Sequence, residues 1–213
     1  MPDPSSLVIV GAGGFGREVA ALVESKDDRA PNGDLKGFVD DDANLHGTSV
    51  MGHPVLGGVD WLSRQANVSF VVAVGDGRDR QHIAERLVDA DVCSVPLVAP
   101  SVSVHRTTTV GPGSILCAGA APTVNVHVGA HAVLDQHCTV GHDSTLDAFV
   151  TLHPGAHVSG SVHLETGVTM GAGSVVLPGT HIGAHATVGA GAVVTEDLPA
   201  GCTAVGVPAR PLS

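Results

Sequence analysis

Residues 128–193 read VGAHAV LDQHCT VGHDST LDAFVT LHPGAH VSGSVH LETGVT MGAGSV VLPGTH IGAHAT VGAGAV, an unbroken series of hexapeptides. The same frame begins at Val98 and runs to residue 198, and sixteen of its seventeen first places hold an aliphatic residue or Met, Pro122 being the exception. A strict period of six fits neither an amphipathic helix nor a hairpin strand. It is typical of a parallel β-helix. Three hexapeptides make one coil, so residues 18 apart are predicted to be vertical neighbours.

The composition excludes several classes of function. The formal net charge is −11, so a nucleic-acid partner, which needs clustered Lys and Arg, is not expected. The amino terminus lacks a basic region followed by a long apolar run, and no apolar stretch reaches the roughly 18 residues that cross a bilayer. We therefore expect a cytoplasmic protein with no membrane partner. The four cysteines show no CxxC spacing, and no metal is predicted.

Residues 1–97 lack the period of six and predict a small α/β domain. An apolar strand at Leu7–Val10 leads into GAGGFGREVAALVES, which reads as a glycine turn followed by a helix with an apolar face. Gly11, Gly13 and Gly16 form a GxGxxG pattern between that strand and that helix. Glycines there let the backbone bring N–H groups close to a phosphate.

Three further strands and two helices complete this domain, the strands at residues 36–39, 70–74 and 92–96 and the helices at residues 58–67 and 79–90. The order βαβαβαβ predicts a Rossmann-like, doubly wound parallel sheet that binds its ligand at the carboxyl ends of the strands. Asp40 and Asp41 follow the second strand, and Gly75 and Asp76 follow the third. The domain is too short for two nucleotide-binding halves, so it suits a mononucleotide or sugar nucleotide better than NAD. Alternatively, residues 40–42 only end a strand and begin a turn.

These segments together resemble one known family. The motifs VGAGGFGREV, GFVDDD, VAVGDGRDR and the closing VGVPAR, with the hexapeptide repeat, are similar to those of sugar O-acyltransferases of the sialic acid O-acetyltransferase type. That group includes N-acetyltransferases acting on nucleotide-linked 4-amino-4,6-dideoxy sugars. The resemblance implies a left-handed β-helix over residues 98–213, whereas the usual rule for parallel crossovers predicts the right hand. It also implies a homotrimer, with active sites and acetyl-CoA between its subunits.

The resemblance further assigns individual residues. His142 and Asp143 correspond to the family's histidine–acid pair, with His142 as the catalytic base. Gly160, one coil above, corresponds to the glycine whose N–H meets the thioester carbonyl. The other acetyl-CoA-binding residues implied are Pro178, Gly206, Pro208 and Arg210. The nucleotide sugar would be held in the first domain by Gly11, Gly13, Gly14, Phe15, Asp40, Asp41, Gly75 and Asp76.

Two alternatives for the histidines stay open. His137 would be the base if the register were shifted by one hexapeptide. His127, His163 and His181 share one place in the coil with Thr145, and stacked imidazoles could ligate a metal. A solvated or intersubunit ladder is the preferred interpretation of that column.

The favoured function is transfer of an acetyl group from acetyl-CoA to the amino group of a nucleotide-linked sugar, by direct attack on the thioester. One alternative is O-acetylation of a sugar hydroxyl, as on sialic acid. Another is a non-catalytic β-solenoid that binds a sugar nucleotide. A nicotinamide-dependent oxidoreductase is disfavoured because no second nucleotide-binding half follows the first. The identity of the acceptor sugar and of its nucleotide is not predicted.

Overall fold

The computed structural model describes residues 6–25 and 34–212. The chain divides into two compact units, Met1–Ala99 and Pro100–Ser213. The predicted fold class is confirmed, since an α/β unit with a parallel sheet precedes a left-handed β-helix. Residues 1–5, on which the expectation about a signal peptide partly depends, lie outside the described residues. Within the described ranges, no helix has the length and apolar character needed to span a bilayer.

The first unit is built on short apolar strands separated by glycine and aspartate turns. Its strands are β1 Ser6–Val10, β2 Asp34–Val39, β3 Ser49–Val50, β4 His53–Pro54, β5 Val68–Val72, β6 Val92–Ser94 and β7 Leu97–Val98. Four of them form a parallel sheet in the order β2-β1-β5-β6, and β3 pairs with β4 as a small antiparallel hairpin. The strand order reverses at β1, so the carboxyl ends of β1, β2 and β5 meet at one edge.

Different elements cover the two faces of this sheet. The helices are α1 Gly14–Glu24 and α2 Gly77–Arg86, with short 3-10 helices at Ala43–Leu45 and Val59–Arg64. One face packs with Leu62 and Leu87 in a buried cluster that includes Val8, Val10, Val39, Phe70 and Val72. Residues that alternate with these point to the opposite face. There Gly16 of α1 packs against the carbonyl of Gly11. The contact is so close that a side chain at residue 16 would clash with the carbonyl oxygen.

Some predicted boundaries in this unit are wrong. The helix expected at residues 79–90 begins earlier because Asp76 caps it, and it ends at Arg86. Leu87 N–H bonds the carbonyl of Ala84, an i→i−3 bond that closes the last turn. Val88, which a helix continuing to residue 90 would place on its inner face, is therefore 78% exposed. The helix expected at residues 58–67 is a shorter 3-10 helix, and the β3–β4 hairpin was not predicted.

The second unit is a solenoid of short strands, one in nearly every hexapeptide, and all of them have two residues except the three-residue β23. They are β8 Thr109–Val110, β9 Ile115–Leu116, β10 Ala121–Pro122, β11 His127–Val128, β12 Val133–Leu134, β13 Thr139–Val140, β14 Thr145–Leu146, β15 Thr151–Leu152, β16 His157–Val158, β17 His163–Leu164, β18 Thr169–Met170, β19 Val175–Val176, β20 His181–Ile182, β21 Thr187–Val188, β22 Val193–Val194, β23 Thr203–Val205 and β24 Arg210–Pro211.

The pairing register confirms the predicted coil. Strands three apart in sequence pair in parallel, so that Val133 lies beside Thr151 and Leu134 beside Leu152, 18 residues on. The first place of each hexapeptide points inward, and Leu116, Leu134 and Leu152 are fully buried in one sheet. The frame ends near the tail, where Thr187 pairs with Thr203 and β24 turns back antiparallel to β23.

Candidate active site

The backbone of His142 and Asp143 is held by the coils above and below it. The pair lies in the turn between β13 and β14. Asp143 has a φ of +59°, in the left-handed region that Asp tolerates better than most residues. Its N–H donates to the carbonyl of Val124 in the coil below at 3.2 Å, and the carbonyl of His142 accepts from the N–H of Ser161 in the coil above at 2.8 Å.

The two side chains form a hydrogen-bonded pair that faces outward. His142 Nδ1 lies 2.8 Å from Asp143 Oδ2, and the side chains are 64% and 53% exposed in the single chain. An ionised carboxylate can only accept, so in the neutral imidazole Nδ1 carries the hydrogen and Nε2 keeps a lone pair. This is the arrangement of a general base: an acid orients the ring, and a basic nitrogen remains free for a substrate.

Asn125 is a further member of this corner, which sequence reasoning missed. Its side-chain Nδ2 donates to Asp143 Oδ1 at 2.9 Å. The hydrogen bond from Asn125, together with that from His142, lowers the pKa of Asp143, so this carboxyl is ionised at neutral pH. Asn125 lies 18 residues before Asp143, so the coil arithmetic could have found it.

Gly160 lies directly above the imidazole, as the arithmetic predicted. A Cβ on Gly160 would be 2.7 Å from His142 Nε2, which is too close for two non-bonded heavy atoms. Gly160 occupies the third place of its hexapeptide. From Arg106 to Glu196, all the remaining third places carry a side chain. Glycine is therefore required here by the ring of His142 rather than by the repeat. Within the described residues, no group accepts a hydrogen bond from the N–H of Gly160.

His137 lies in a different environment. It occupies the fourth place of its hexapeptide with a φ of +60°, and its ring covers Gly119 in the coil below, where a Cβ would be 2.5 Å from Nδ1. His131 and His185 cover glycines in the same way. No carboxylate pairs with His137 in the part of the chain that the structure describes. The geometry thus favours His142 as the base and gives His137 a packing role.

The column of His163 and His181 is a ladder of hydrogen bonds between imidazoles and carboxylates. The register places the two residues side by side, with ring centroids 5.2 Å apart. His163 Nε2 lies 3.1 Å from Asp147 Oδ2, and His181 Nε2 lies 3.0 Å from Glu165 Oε1. A hydrogen bond from the N–H of Ala184, and then that from His181, lowers the pKa of Glu165. Across residues 6–25 and 34–212, no three His, Cys, Asp or Glu residues form a group that could hold a metal.

The glycine turn after β1 presents backbone rather than side chains. Gly11 has a φ of +103°, and a Cβ there would be 2.9 Å from the carbonyl oxygen of Ala73, so only glycine fits. Gly13 and Gly14 border open space and are exposed, and no side chain caps the first turn of α1. Phe15 is half-buried beside them. The N–H groups of this helix terminus can therefore approach a phosphate.

The carboxylates after β2 are engaged within the protein. Asp40 Oδ2 accepts the N–H of Ala12 at 2.8 Å, which ties β2 to the glycine turn. Asp41 accepts the N–H of Val59 at 2.9 Å and pairs with Arg86 at 2.6 Å. The hydrogen bond from Arg86, and then that from Val59, lowers the pKa of Asp41. Both acids stabilise the loops at the predicted site, and direct contact with a nucleotide stays a prediction.

A buried arginine organises the turn after β5. Arg80 in α2 is fully buried and donates from Nη1 to the carbonyls of Val74 and Gly75, at 2.9 and 3.1 Å. Burial lowers the pKa of Arg80 to about 10, so the group remains charged at neutral pH. Asp76, which was predicted to line the site, caps α2 by accepting the N–H groups of Arg78 and Asp79. No local pattern in the sequence predicts the role of Arg80, because its burial depends on tertiary packing.

The tail folds against the last coil. Gly206 turns the chain with a φ of +96°, and Ala209 N–H donates to the carbonyl of Val193 at 2.7 Å. Arg210 is exposed and only loosely paired, at 3.4 Å from Glu196. Pro178 is exposed at the third place, one coil above Gly160. Their binding of acetyl-CoA, and that of Pro208, stays a prediction.

Comparison with known proteins gives consistent matches over both units. The family described as the PglD N-terminal domain matches residues 6–87. GDP-perosamine N-acetyltransferase of Escherichia coli O157:H7 is 31% identical over 159 residues, which cover 74% of this chain and 71% of the relative. PerB from Caulobacter crescentus, solved with CoA and GDP-perosamine, is 32% identical and superposes with a TM-score of 0.87, over 98% of this chain and 97% of that chain. The acetyltransferase domain of PglB from Neisseria gonorrhoeae, solved with acetyl coenzyme A, is also 32% identical and superposes with a TM-score of 0.86. The match covers 98% of this chain and 99% of that chain.

Proposed function

Because the chain belongs to the nucleotide-amino-sugar N-acetyltransferases built on hexapeptide repeats, we propose that it acetylates the 4-amino group of a nucleotide-linked 4,6-dideoxy sugar. The chain is an acetyl-CoA-dependent acetyltransferase. GDP-perosamine is the first acceptor to consider, since it appears in the names of similar proteins. The observation that carries the proposal is the exposed His142–Asp143 pair with Nε2 directed at Gly160.

The proposed reaction uses a single direct transfer. The neutral amine of the acceptor attacks the carbonyl carbon of the thioester, forming the C–N bond as the carbonyl electrons move to oxygen. Nε2 of His142 takes the proton from the attacking nitrogen, and Asp143 stabilises the resulting imidazolium. Collapse of the intermediate breaks the C–S bond, and the proton passes from His142 to the sulfur of CoA. No covalent enzyme intermediate is needed.

Gly160 is proposed to stabilise the transition state. The negative charge that develops on the carbonyl oxygen needs a donor, and the N–H of Gly160 is unused within the described residues. One such backbone donor contributes about 3 kcal/mol to the transition state. The absence of a Cβ also leaves space for the thioester beside Nε2. We propose that Pro178, Gly206, Pro208 and Arg210 contact acetyl-CoA.

The first unit is proposed to hold the nucleotide. The exposed backbone of Gly13 and Gly14 lies at the uncapped start of α1, where a diphosphate is favoured by free N–H groups and by the helix dipole. Asp40 stabilises this turn through Ala12. Arg80 does the same for the turn of Gly75 on the neighbouring strand. The nucleotide base and ribose are proposed to contact Phe15 and the residues around Asp41.

We also propose a homotrimer in which neighbouring solenoids enclose the acetyl-CoA sites. In support, the side chains of His142 and Asp143 are more than half exposed in the single chain, whereas an acyl-transfer site needs shielding from water. Light scattering coupled to gel filtration should give three times the mass of the chain. A monomer that is active at the same dilution would contradict this arrangement.

A thiol-release assay tests the function. The protein is incubated with acetyl-CoA and a panel of acceptors: GDP-, UDP- and dTDP-linked 4-amino-4,6-dideoxyhexoses, the matching 4-hydroxy sugars, and sialic acid. We expect thiol release with at least one amino sugar and none with its 4-hydroxy counterpart, with the acetylated product identified by mass spectrometry. Release only with hydroxyl acceptors would support the O-acetyltransferase alternative. No release with any acceptor, despite binding of a nucleotide sugar, would support a binding module.

A further inference from the structure

Thr107, Asn125 and Asp143 form a ladder at one corner of the solenoid. They occupy the fourth place of their hexapeptides and lie 18 residues apart, in successive coils. Thr107 Oγ1 accepts the backbone N–H of Asn125 at 3.0 Å, and Asn125 Nδ2 donates to Asp143 Oδ1 at 2.9 Å. His105 Nδ1 lies 2.9 Å from the same Thr107 hydroxyl. Hydrogen bonds therefore link the three coils at this corner: Thr107 holds the backbone of Asn125, and the side-chain amide of Asn125 holds Asp143.

We propose that Asn125 is a positioning residue, which fixes the carboxylate of Asp143 in the orientation that binds Nδ1 of His142. The inference rests on the proposed function, in which His142 is the base. The Asp143 side chain is 53% exposed, so packing alone does not fix its rotation. One oxygen is held by Asn125 and the other by His142, and this two-point contact defines the carboxylate plane. Since the amide of Asn125 carries no charge, it holds the carboxylate without neutralising it.

The backbone conformation at position 125 favours asparagine and also provides the test variant. Asn125 has a φ of +56°, in the left-handed region, which Asn and Gly adopt with little strain. Asn125→Gly therefore removes the amide donor and keeps the backbone conformation. Asn67, which is exposed in the first unit with a φ of +57°, offers a matched control for the same substitution.

Kinetics provide the first test. Asn125→Gly should lower kcat about tenfold, the scale of one hydrogen bond to a charged group. The KM values for acetyl-CoA and the acceptor should change less than about twofold, because Asn125 is assigned no contact with either. Asn67→Gly should match the wild type. In an Asp143→Gly background, Asn125→Gly should cause no further loss, since it acts through Asp143. A wild-type kcat, or an undiminished loss in that background, would overturn the proposal.

A spectroscopic test separates this inference from the proposed function. Long-range nitrogen–proton correlation spectra at alkaline pH report the tautomer of His142, with its signals assigned by their loss in His142→Gln. We expect the hydrogen on Nδ1 in the wild type and a shift toward the Nε2 tautomer in Asn125→Gly. If the wild type acetylates no nucleotide amino sugar, the proposed function fails, and the tautomer still decides the role of Asn125. An unchanged tautomer overturns it. If Asn125→Gly does not fold, Asn125→Ala removes the donor without adding a charge beside Asp143, at the cost of some backbone strain at this φ, and the same outcomes apply.

Discussion

The two units of this chain prepare their candidate sites in opposite ways. In the solenoid, the side chains of the proposed catalytic pair face outward. His142 and Asp143 are more than half exposed, and no group among the described residues pairs with Nε2 of His142. In the α/β unit, the acidic side chains predicted to meet the ligand turn back into the protein, Asp40 toward Ala12 and Asp41 toward Arg86. The repeat thus places its functional side chains at fixed positions on a regular stack of coils. The sheet presents backbone turns, and its side chains hold those turns in place.

This comparison predicts the largest effect at Gly160, where the stacked coils leave no space for a side chain. Gly160→Ala should place a methyl group within contact distance of the imidazole, displace Nε2 and lower kcat about a hundredfold, the scale of general-base catalysis. Steady-state kinetics with both substrates measure it.

The same substitution offers an internal control on folding. In a His142→Ala background the ring is gone, so Gly160→Ala should leave the melting temperature unchanged, as expected at a place where other hexapeptides carry side chains. A kcat within threefold of wild type for Gly160→Ala alone would contradict the steric account.

In the α/β unit, we expect a smaller effect and a different kinetic signature. Arg80→Met removes the hydrogen bonds to the carbonyls of Val74 and Gly75, and should raise the KM for the nucleotide sugar about tenfold. The values of kcat and of KM for acetyl-CoA should stay near those of the wild type. Arg78→Met, an exposed change on the same helix, serves as the control. An unchanged KM for the nucleotide sugar would show that the turn does not need Arg80.

The smallest effect concerns the stability of the α/β unit. The pKa of Asp41 is lowered from its usual value of 3.8, so its ion pair stabilises the folded state above that pH and is lost as the pH falls through the lowered value. Because both partners are substantially exposed, Asp41→Asn should cost less than about 1 kcal/mol at neutral pH.

Urea unfolding at a series of pH values measures this loss, and high salt should reduce it. The difference in free energy of unfolding between wild type and Asp41→Asn should disappear in strong acid. A difference that grows as the pH falls would contradict the assigned cause. Arg86→Gln should show the same dependence on pH, and the double variant should be less than additive.

The sequence predicted the solenoid more completely than the α/β unit, for a physical reason. A vertical neighbour in the repeat is found by adding 18 to the residue number, so the contact of His142 with Gly160 could be predicted by counting. The same count would have identified Asn125 as the neighbour of Asp143. In the α/β unit, neighbours depend on strand order and packing. The burial of Arg80, the end of α2 before Val88 and the internal partners of Asp41 could not be read from local pattern.

The contrast between two histidines tests the central claim most directly. We would measure kcat for His142→Ala and His137→Ala side by side, with binding of CoA to each variant measured by calorimetry. His142→Ala should lower kcat at least a hundredfold and leave CoA binding intact, whereas His137→Ala should stay within about threefold of the wild type. Near-normal turnover by His142→Ala, or a comparable loss in His137→Ala with folding intact, would contradict the assignment of His142 as the base.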